Sequence, residues 1–116
     1  FLELAGKRPD LLMNMLAVLS RRLRRFVEII DDLALKEVST RLARHLLDLS
    51  QQAGGTLELE LTTSKAMLAA RLGAVAETLS RTLARMQRRG IIEVDGRRVR
   101  LRNPAALRKL AEGDKL

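Results

Sequence analysis

The sequence has 116 residues, which is enough for one domain or for one domain with an extension. Its formal net charge is +8, which indicates an anionic partner. No stretch is long and apolar enough for a membrane-spanning helix and no signal peptide is visible, so nucleic acid is favoured over a membrane. The absence of cysteine excludes disulfides, thiolate zinc sites and iron–sulfur clusters in this sequence, and it is compatible with a cytoplasmic protein. Because the chain begins at Phe1 rather than at methionine, we expect a part of a longer protein.

A long helix with a heptad pattern follows a predicted connection at residues 1–7. Proline suits the first turn of a helix, so the helix is predicted to begin at Pro9 or Asp10. Seven apolar residues then recur at alternating steps of four and three: Leu12, Leu16, Leu19, Leu23, Phe26, Ile30 and Leu33. A 3.5-residue period is that of a coiled-coil seam, so we predict a parallel homodimer through these side chains. The alternative is a helix that packs within its own chain.

Four other apolar residues of this helix lie outside the seam: Met13, Met15, Val18 and Ile29. They predict a second covered surface. A break is predicted at residues 31–36, followed by a second amphipathic helix over residues 36–52 that ends before Gly54. Its apolar positions are Val38, Leu42, Ala43, Leu46, Leu47 and Leu49. His45 is the sole histidine, and it is predicted to be a solvated helix residue rather than part of a site.

Residues 56–61 alternate between apolar and polar and predict a short, half-buried strand. Its inner face would carry Leu57, Leu59 and Leu61. The hydroxyls of Thr62, Thr63 and Ser64 then suit the capping of a helix over residues 64–71.

A glycine turn at residues 72–74 separates that helix from a second one over residues 75–89, which is the pattern of a helix-turn-helix. The apolar face of the second helix would carry Val75, Leu79, Thr82, Leu83 and Met86. The opposite face would carry Glu77, Ser80, Arg81, Ala84, Arg85 and Arg88. Arginine can bind guanine bidentately and glutamate can accept a hydrogen bond from cytosine, so this face suits base reading in a major groove. The alternative is a helical hairpin with a solvated basic face.

Residues 91–101 predict a β-hairpin with its turn at Asp95–Gly96. A two-stranded ribbon directly after a recognition helix is a wing, with Arg97 and Arg98 at its tip. The segment 81–102 contains eight arginines and two acidic residues, which favours contact with phosphates over a surface hairpin that is merely basic.

Asn103 and Pro104 predict the start of a last helix, which ends at Ala111 and packs Leu107 and Leu110 on the domain. The chain is predicted to fray from Gly113.

The fold class predicted from these elements is mainly α with a small β wing. Residues 1–35 would form the connection and a coiled-coil dimerisation helix, and residues 36–116 a winged helix-turn-helix domain that binds DNA. The predicted phosphate contacts are Thr63, Ser64, Lys65, Arg85, Arg88, Arg97 and Arg98.

These residues together resemble the C-terminal part of Crp/Fnr transcription regulators, over almost the whole chain. The most specific element is residues 77–81, Glu-Thr-Leu-Ser-Arg, which is similar to the Glu-x-x-Ser-Arg signature of the Fnr-like and Dnr-like branches. The resemblance implies that Glu77, Ser80 and Arg81 read a half-site similar to TTGA. Ala76 stands where cyclic-AMP receptor proteins have arginine, which implies a different specificity.

The chain departs from that family at Val75, where serine or threonine is usual, so the second helix is predicted to begin without a side-chain cap. The family also has an N-terminal β-roll sensor that binds a nucleotide, haem, an iron–sulfur cluster or a small metabolite. No segment of this sequence corresponds to it, so no cofactor is predicted for this chain. Such a sensor would dock on the second apolar surface of the first helix.

The predicted partners are double-stranded DNA, a second copy of the chain and RNA polymerase. A winged-helix repressor without a sensor is an alternative of the same class. A coiled-coil protein-interaction module is an alternative of another class, and it would lack the steep salt dependence of duplex DNA binding. An enzyme is not predicted, since the sequence has no cysteine, one isolated histidine and no paired-carboxylate or phosphate-loop motif.

Overall fold

The computed structural model describes residues 8–116, and the predicted connection at residues 1–7 lies outside them. The three later helices and the three strands lie within one or two residues of the bounds expected from the sequence, and the class, mainly helical with a small sheet, is confirmed. In chain order the elements are α1 (Pro9–Gln52), β1 (Glu58–Glu60), α2 (Lys65–Arg71), α3 (Ala76–Arg88), β2 (Ile92–Asp95), β3 (Arg98–Leu101) and α4 (Pro104–Ala111).

Helix α1 is continuous over 44 residues, so the predicted break at residues 31–36 is wrong. The physical reason is local. After Pro9 the helix contains neither proline nor glycine, and leucine, alanine and lysine within residues 33–36 are strong helix formers. By its internal contacts the chain nevertheless divides into two compact units, with the boundary between Asp32 and Leu33.

The first unit consists of the N-terminal part of α1, and its apolar side chains lie mostly in solvent. Leu12 is half-buried. The other six seam residues, Leu16, Leu19, Leu23, Phe26, Ile30 and Leu33, are between 49% and 65% exposed, the last of them already in the second unit. Such a row exceeds the single, scattered apolar residues that are normal on the surface of a monomer.

The second unit, residues 33–116, contains the hydrophobic core. Every helix of this unit and the inner face of the sheet contribute to it. The side chains that are less than 2% exposed include Leu42, Leu46, Leu68, Leu79, Met86, Ile92, Leu101 and Leu107. The inward positions predicted for residues 36–52 are buried at Val38, Leu42, Ala43 and Leu46, and half-buried at Leu47 and Leu49. Burial of this kind is the main source of stability for the unit.

The wing is a three-stranded antiparallel sheet in the order β1-β3-β2, rather than the predicted two-stranded ribbon. The short strand β1 pairs with β3, with Leu59 opposite Val99. Leu59 and Leu61 are buried as predicted, but Leu57, just before the strand, is 48% exposed, contrary to the prediction.

The C-terminal helix α4 has the predicted bounds, and the Asn103 side chain caps it by accepting a hydrogen bond from the Ala106 N–H at 3.1 Å. Leu107 and Leu110 are buried, as predicted. Fraying from Gly113 is contradicted by the last residue, since Leu116 is 8% exposed and belongs to the core.

Candidate nucleic-acid interface

The turn between α2 and α3 connects the two helices of the helix-turn-helix. Helix α2 begins as predicted, with the Ser64 hydroxyl accepting a hydrogen bond from the Met67 N–H at 3.2 Å. At its end the Gly73 N–H donates to the Ala70 carbonyl at 3.2 Å, and the Ala74 N–H donates to the Ala69 carbonyl at 2.9 Å. This pair of hydrogen bonds is a Schellman motif, which needs a residue with positive φ directly after the C-cap. Gly73 supplies it, with φ of +68°.

Helix α3 presents one buried and one exposed face, as the sequence predicted. Four residues of the inner face are buried: Leu79, Thr82, Leu83 and Met86. The buried Thr82 hydroxyl has a hydrogen-bond partner, since it donates to the Thr78 carbonyl at 2.7 Å. The outer face exposes Glu77, Ser80, Arg81, Ala84 and Arg88, and Arg85 is half-buried. The three predicted base-reading residues therefore share one exposed surface within about a turn of helix.

Val75 does not belong to the buried face, contrary to the prediction. It is 67% exposed, because it precedes the helix in an extended conformation and does not follow the helical period. Helix α3 begins at Ala76, and Val75 is its N-cap residue without a side-chain hydrogen bond. No side chain at the N-cap position therefore caps the start of α3, as predicted from the missing hydroxyl.

The tip of the wing lies next to the segment that leads into α2. The hairpin turn consists of Gly96 and Arg97, one residue later than the predicted Asp95–Gly96, because Asp95 still pairs with Arg98 in the sheet. The Arg97 carbonyl accepts a hydrogen bond from the Leu61 N–H at 2.7 Å. Because Leu61 precedes the start of α2 by a few residues, this bond brings the wing tip close to the predicted phosphate contacts there. Those contacts are Thr63, which is half-buried, and Ser64 and Lys65, which are exposed.

The outer face of the sheet carries alternating charges in two rows across the strands. One row is Glu58, Arg100 and Glu93, and the other is Glu60, Arg98 and Asp95. An Arg100 nitrogen lies 3.6 Å from a Glu58 oxygen, and an Arg102 nitrogen lies 3.8 Å from a Glu93 oxygen. Of the two arginines predicted at the tip, Arg98 therefore stands in the sheet between two carboxylates, whereas Arg97 stands in the turn.

Two polar contacts that support the interface were not predicted. The Gln87 side-chain oxygen accepts a hydrogen bond from the Val94 N–H at 3.2 Å, and so joins α3 to the wing. Arg41 on α1 donates to the Leu72 carbonyl at 2.9 Å and is ion-paired with Glu37. The one signal in the sequence is the spacing of Glu37 and Arg41, which places them on the same face of a helix.

Comparisons with known proteins agree with this geometry. A family model described as the Crp-like helix-turn-helix domain matches residues 40–110. The chain is 34% identical over 108 residues to the CRP-like cAMP-activated global transcriptional regulator of Mycobacterium tuberculosis, covering 90% of this chain and 48% of that protein. It is 32% identical over 113 residues to the fumarate and nitrate reduction regulatory protein of Escherichia coli, covering 94% and 45%. The crystal structure of Thermus thermophilus catabolite activator protein matches with a TM-score of 0.68 and 32% identity, covering 97% of this chain and 51% of that one. The chain belongs to the Crp/Fnr family.

The resemblance to Crp/Fnr regulators seen in the sequence is thereby confirmed, and the chain corresponds to the C-terminal part of such a protein. It spans about half the length of the curated relatives that it matches. These relatives are transcription regulators rather than enzymes, and their helix-turn-helix is a DNA-binding domain.

His45 was predicted to be solvated, and it is half-buried. Burial lowers its pKa from the ordinary value of 6.5, with Arg71 adding to the effect and Asp48 opposing it. Within residues 8–116 there is no cluster of three potential metal ligands. No helix in the same range is both long and apolar enough to cross a membrane.

Proposed function

We propose that this chain binds a palindromic promoter site as a homodimer, with α3 of each copy in a major groove. The observation that carries the proposal is the exposed face of α3. Its base-reading residues lie opposite the four buried ones, on a helix held by a glycine turn and a wing. A fixed helix with exposed polar side chains near its N-terminal end is the arrangement that reads base edges in helix-turn-helix proteins.

Arg81 is the main base contact in this proposal. Its planar guanidinium matches the O6 and N7 atoms of guanine, and Glu77, one turn before it, can accept a hydrogen bond from cytosine N4. Ser80 adds a shorter hydroxyl contact on the same face. The half-site similar to TTGA, implied by the resemblance, contains a G·C pair at which this arginine would act.

The phosphate contacts come from two groups of residues. One group is at the start of α2 and at the wing tip, which the bond from Leu61 to Arg97 brings together. The other group is Arg85 and Arg88, in the last turns of α3 itself. We include Arg98 as well, with a smaller contribution because Glu60 and Asp95 flank it. Contacts to phosphate fix the register of the protein on DNA and make binding salt-dependent.

The dimer forms through the seam of α1. Residues up to 35 would pair two copies, and residues 36–116 of each would bind one half-site. Support comes from the unbroken heptad spacing and from the exposure of the seam side chains. A two-fold axis along the paired helices would place the two α3 helices on a palindrome, whose half-sites lie about one DNA turn apart.

A regulator of this kind acts in the cytoplasm, where bacterial promoters lie, and RNA polymerase is the protein partner that we assign to it. We assign no effector to this chain, because an effector would bind a sensor domain.

The test is selection of duplexes from a random-sequence library by the 116-residue chain. We expect an inverted repeat to be enriched and to bind about a thousandfold more tightly than a scrambled duplex at fixed salt. Affinity for both duplexes should fall steeply with ionic strength, since counterions are released. Equal affinity for the selected and scrambled duplexes would contradict the proposal, and enrichment of a single half-site would contradict its dimeric form.

A further inference from the structure

The connection between α1 and the turn of the helix-turn-helix has a feature that the function above does not use. Arg41 lies on α1, 31 residues before Leu72, and its guanidinium donates a hydrogen bond to the Leu72 carbonyl at 2.9 Å. Leu72 is the C-cap residue of α2. Its carbonyl therefore lies beyond the regular bond pattern of the helix, where a side-chain donor is the usual remedy.

The same guanidinium also fills the space beside Gly73. A Cβ atom added at Gly73 would lie 2.9 Å from an Arg41 terminal nitrogen. The turn needs glycine for its positive φ, and the absence of a Cβ there leaves room for the guanidinium. Glu37, which lies one helical turn before Arg41, accepts a hydrogen bond from the other terminal nitrogen. Both terminal nitrogens of the guanidinium therefore have a partner that fixes its orientation.

The recognition helix depends on this turn because it lacks a cap of its own. Val75 makes no side-chain hydrogen bond to the first turn of α3. The position of Glu77 and its neighbours is then set by the turn at residues 72–74 and by the buried face of α3. A small shift of the turn would displace the base-reading side chains, although the core would remain packed.

We propose that Arg41 is a positioning residue, which sets the start of α3 through the Leu72 carbonyl and Gly73, and thereby sharpens sequence discrimination. It does so without contacting DNA. The inference rests on the proposed DNA reading for its functional consequence, and on the hydrogen bond and the packing at Gly73 for its structural part. Its side chain is 45% exposed, so its removal leaves no enclosed cavity.

The chain offers a matched control at Arg44. This arginine lies on the same helix and donates a hydrogen bond to the Ala111 carbonyl at the end of α4, at 3.0 Å. Arg44→Ala and Arg41→Ala each remove one arginine, one positive charge and one hydrogen bond to a helix-terminal carbonyl. They differ in that only the Arg41 bond reaches the turn before α3, and in that Arg41 is also ion-paired with Glu37. The Glu37→Gln variant measures the effect of the ion pair alone.

The first measurement is the ratio of affinities for a selected and a scrambled duplex, at fixed salt and well below the melting temperature. Arg41→Ala should lower this ratio about tenfold, whereas Arg44→Ala should leave it unchanged. Arg41→Lys should lower the ratio of affinities almost as much, because one ammonium cannot replace the guanidinium that contacts both Glu37 and the Leu72 carbonyl. Glu37→Gln, which keeps the arginine but loses its orienting charge, should lower the ratio by a smaller factor.

The second measurement is the salt dependence of binding. A positioning residue leaves the slope of log affinity against log salt unchanged, whereas a phosphate contact reduces it by about 1 on replacement. A retained ratio in Arg41→Ala, or a slope reduced by about 1 in that variant, would overturn the proposal.

The third measurement does not need DNA. Amide hydrogen exchange at Gly73, Ala74 and Leu79 reports the turn and the first bond of α3. Arg41→Ala should accelerate exchange at these amides about tenfold, and Arg44→Ala should not. If the parent chain failed to discriminate between duplexes, the proposed function would be wrong, while unchanged exchange in Arg41→Ala would refute the positioning role by itself.

Discussion

Within the single helix α1, Leu23 is 64% exposed and Leu42 is 0% exposed. Both leucines lie on apolar stripes of the same continuous helix, but they belong to different compact units. In residues 33–116 the stripe of α1 packs with α2, α3, α4 and the sheet, which come from the same chain. In residues 8–32 the stripe is exposed. The comparison shows that an apolar period defines which side chains share a face, but not whether the partner of that face is in the same molecule.

The two stripes also differ in width. Alternating steps of four and three over the seam match the 3.5-residue repeat of paired helices. The buried positions of residues 36–52 form a wider stripe that includes neighbours such as Leu42 and Ala43, as expected for a helix on a globular core. The predictions that follow test this difference.

The largest effect is expected at the seam. Replacing both Leu19 and Leu23 by lysine should convert the dimer to monomers, with a dissociation constant raised at least about a thousandfold, because four leucines per dimer lose their apolar contacts. Sedimentation equilibrium measures the change. The control replaces Leu11 and Val18 by lysine, which lie seven residues apart outside the seam, and should leave the dimer intact. A dimer that survived the seam change would place the interface elsewhere.

In the second unit the large effect should appear in stability rather than assembly. Leu42→Ala should lower the free energy of unfolding by about 2–5 kcal/mol, because it opens a cavity in the core. Chemical denaturation followed by circular dichroism measures it. In the monomeric seam variant, Phe26→Ala should cost less than about 0.5 kcal/mol, since Phe26 is 61% exposed. Equal costs at the two positions would refute the distinction between the units.

The exposed face of α3 should govern specificity. Arg81→Ala should cost about 1–3 kcal/mol on the selected duplex and abolish the preference at one base pair per half-site, because a bidentate contact is lost. Glu77→Ala should relax the neighbouring position with little loss of affinity. A competition assay over all four base pairs at each position measures both. Arg88→Ala is the control, and should weaken binding to all sequences alike. If Arg81→Ala did the same, Arg81 would be a phosphate contact.

Within the wing, the strand arginine and the turn arginine should differ. Arg97→Ala should reduce the salt slope of DNA binding by about 1, as expected for one lost phosphate contact. Arg98→Ala should reduce it less, because Glu60 and Asp95 stand on either side of Arg98 in the sheet. Titration of duplex DNA at several salt concentrations compares them. A larger effect at Arg98, or a selective loss at one base pair in either variant, would contradict this assignment.

The smallest effect concerns His45. Its pKa in the folded chain is below the ordinary value of 6.5, chiefly because of burial. The unfolded chain then binds the proton more readily, so the contribution of neutral His45 to stability is complete above pH 6.5. It should decline as the pH falls below that value and level off below the folded pKa. Denaturation between pH 7 and 5 should show a shallower decline in His45→Gln than in the parent, and identical profiles would refute the effect.

Local chemistry in the sequence determined a large part of this protein. Ser64 and Asn103 cap their helices because the side-chain oxygen of each reaches the N–H three residues later. Gly96 marks the hairpin, and the 3.6-residue period of α3 assigns its buried and exposed faces. The predicted break at residues 31–36 was wrong for an equally local reason, since two aspartates do not end a helix that contains no glycine or proline there. The family followed from the motif at residues 77–81, because that motif combines residue type with position on the helix.

The tertiary structure alone decided the contacts between distant parts of the chain. Strand β1 joins the wing by pairing with β3, about forty residues later, and Leu116 enters the core from the C-terminus. Arg41 reaches Leu72 across 31 residues. Such contacts depend on how the packed elements bring backbone groups together, and a carbonyl or an N–H at a distant position has no signature in residue type. The exposure of Val75 is of the same kind, since an apolar residue is buried only where the fold places other atoms against it.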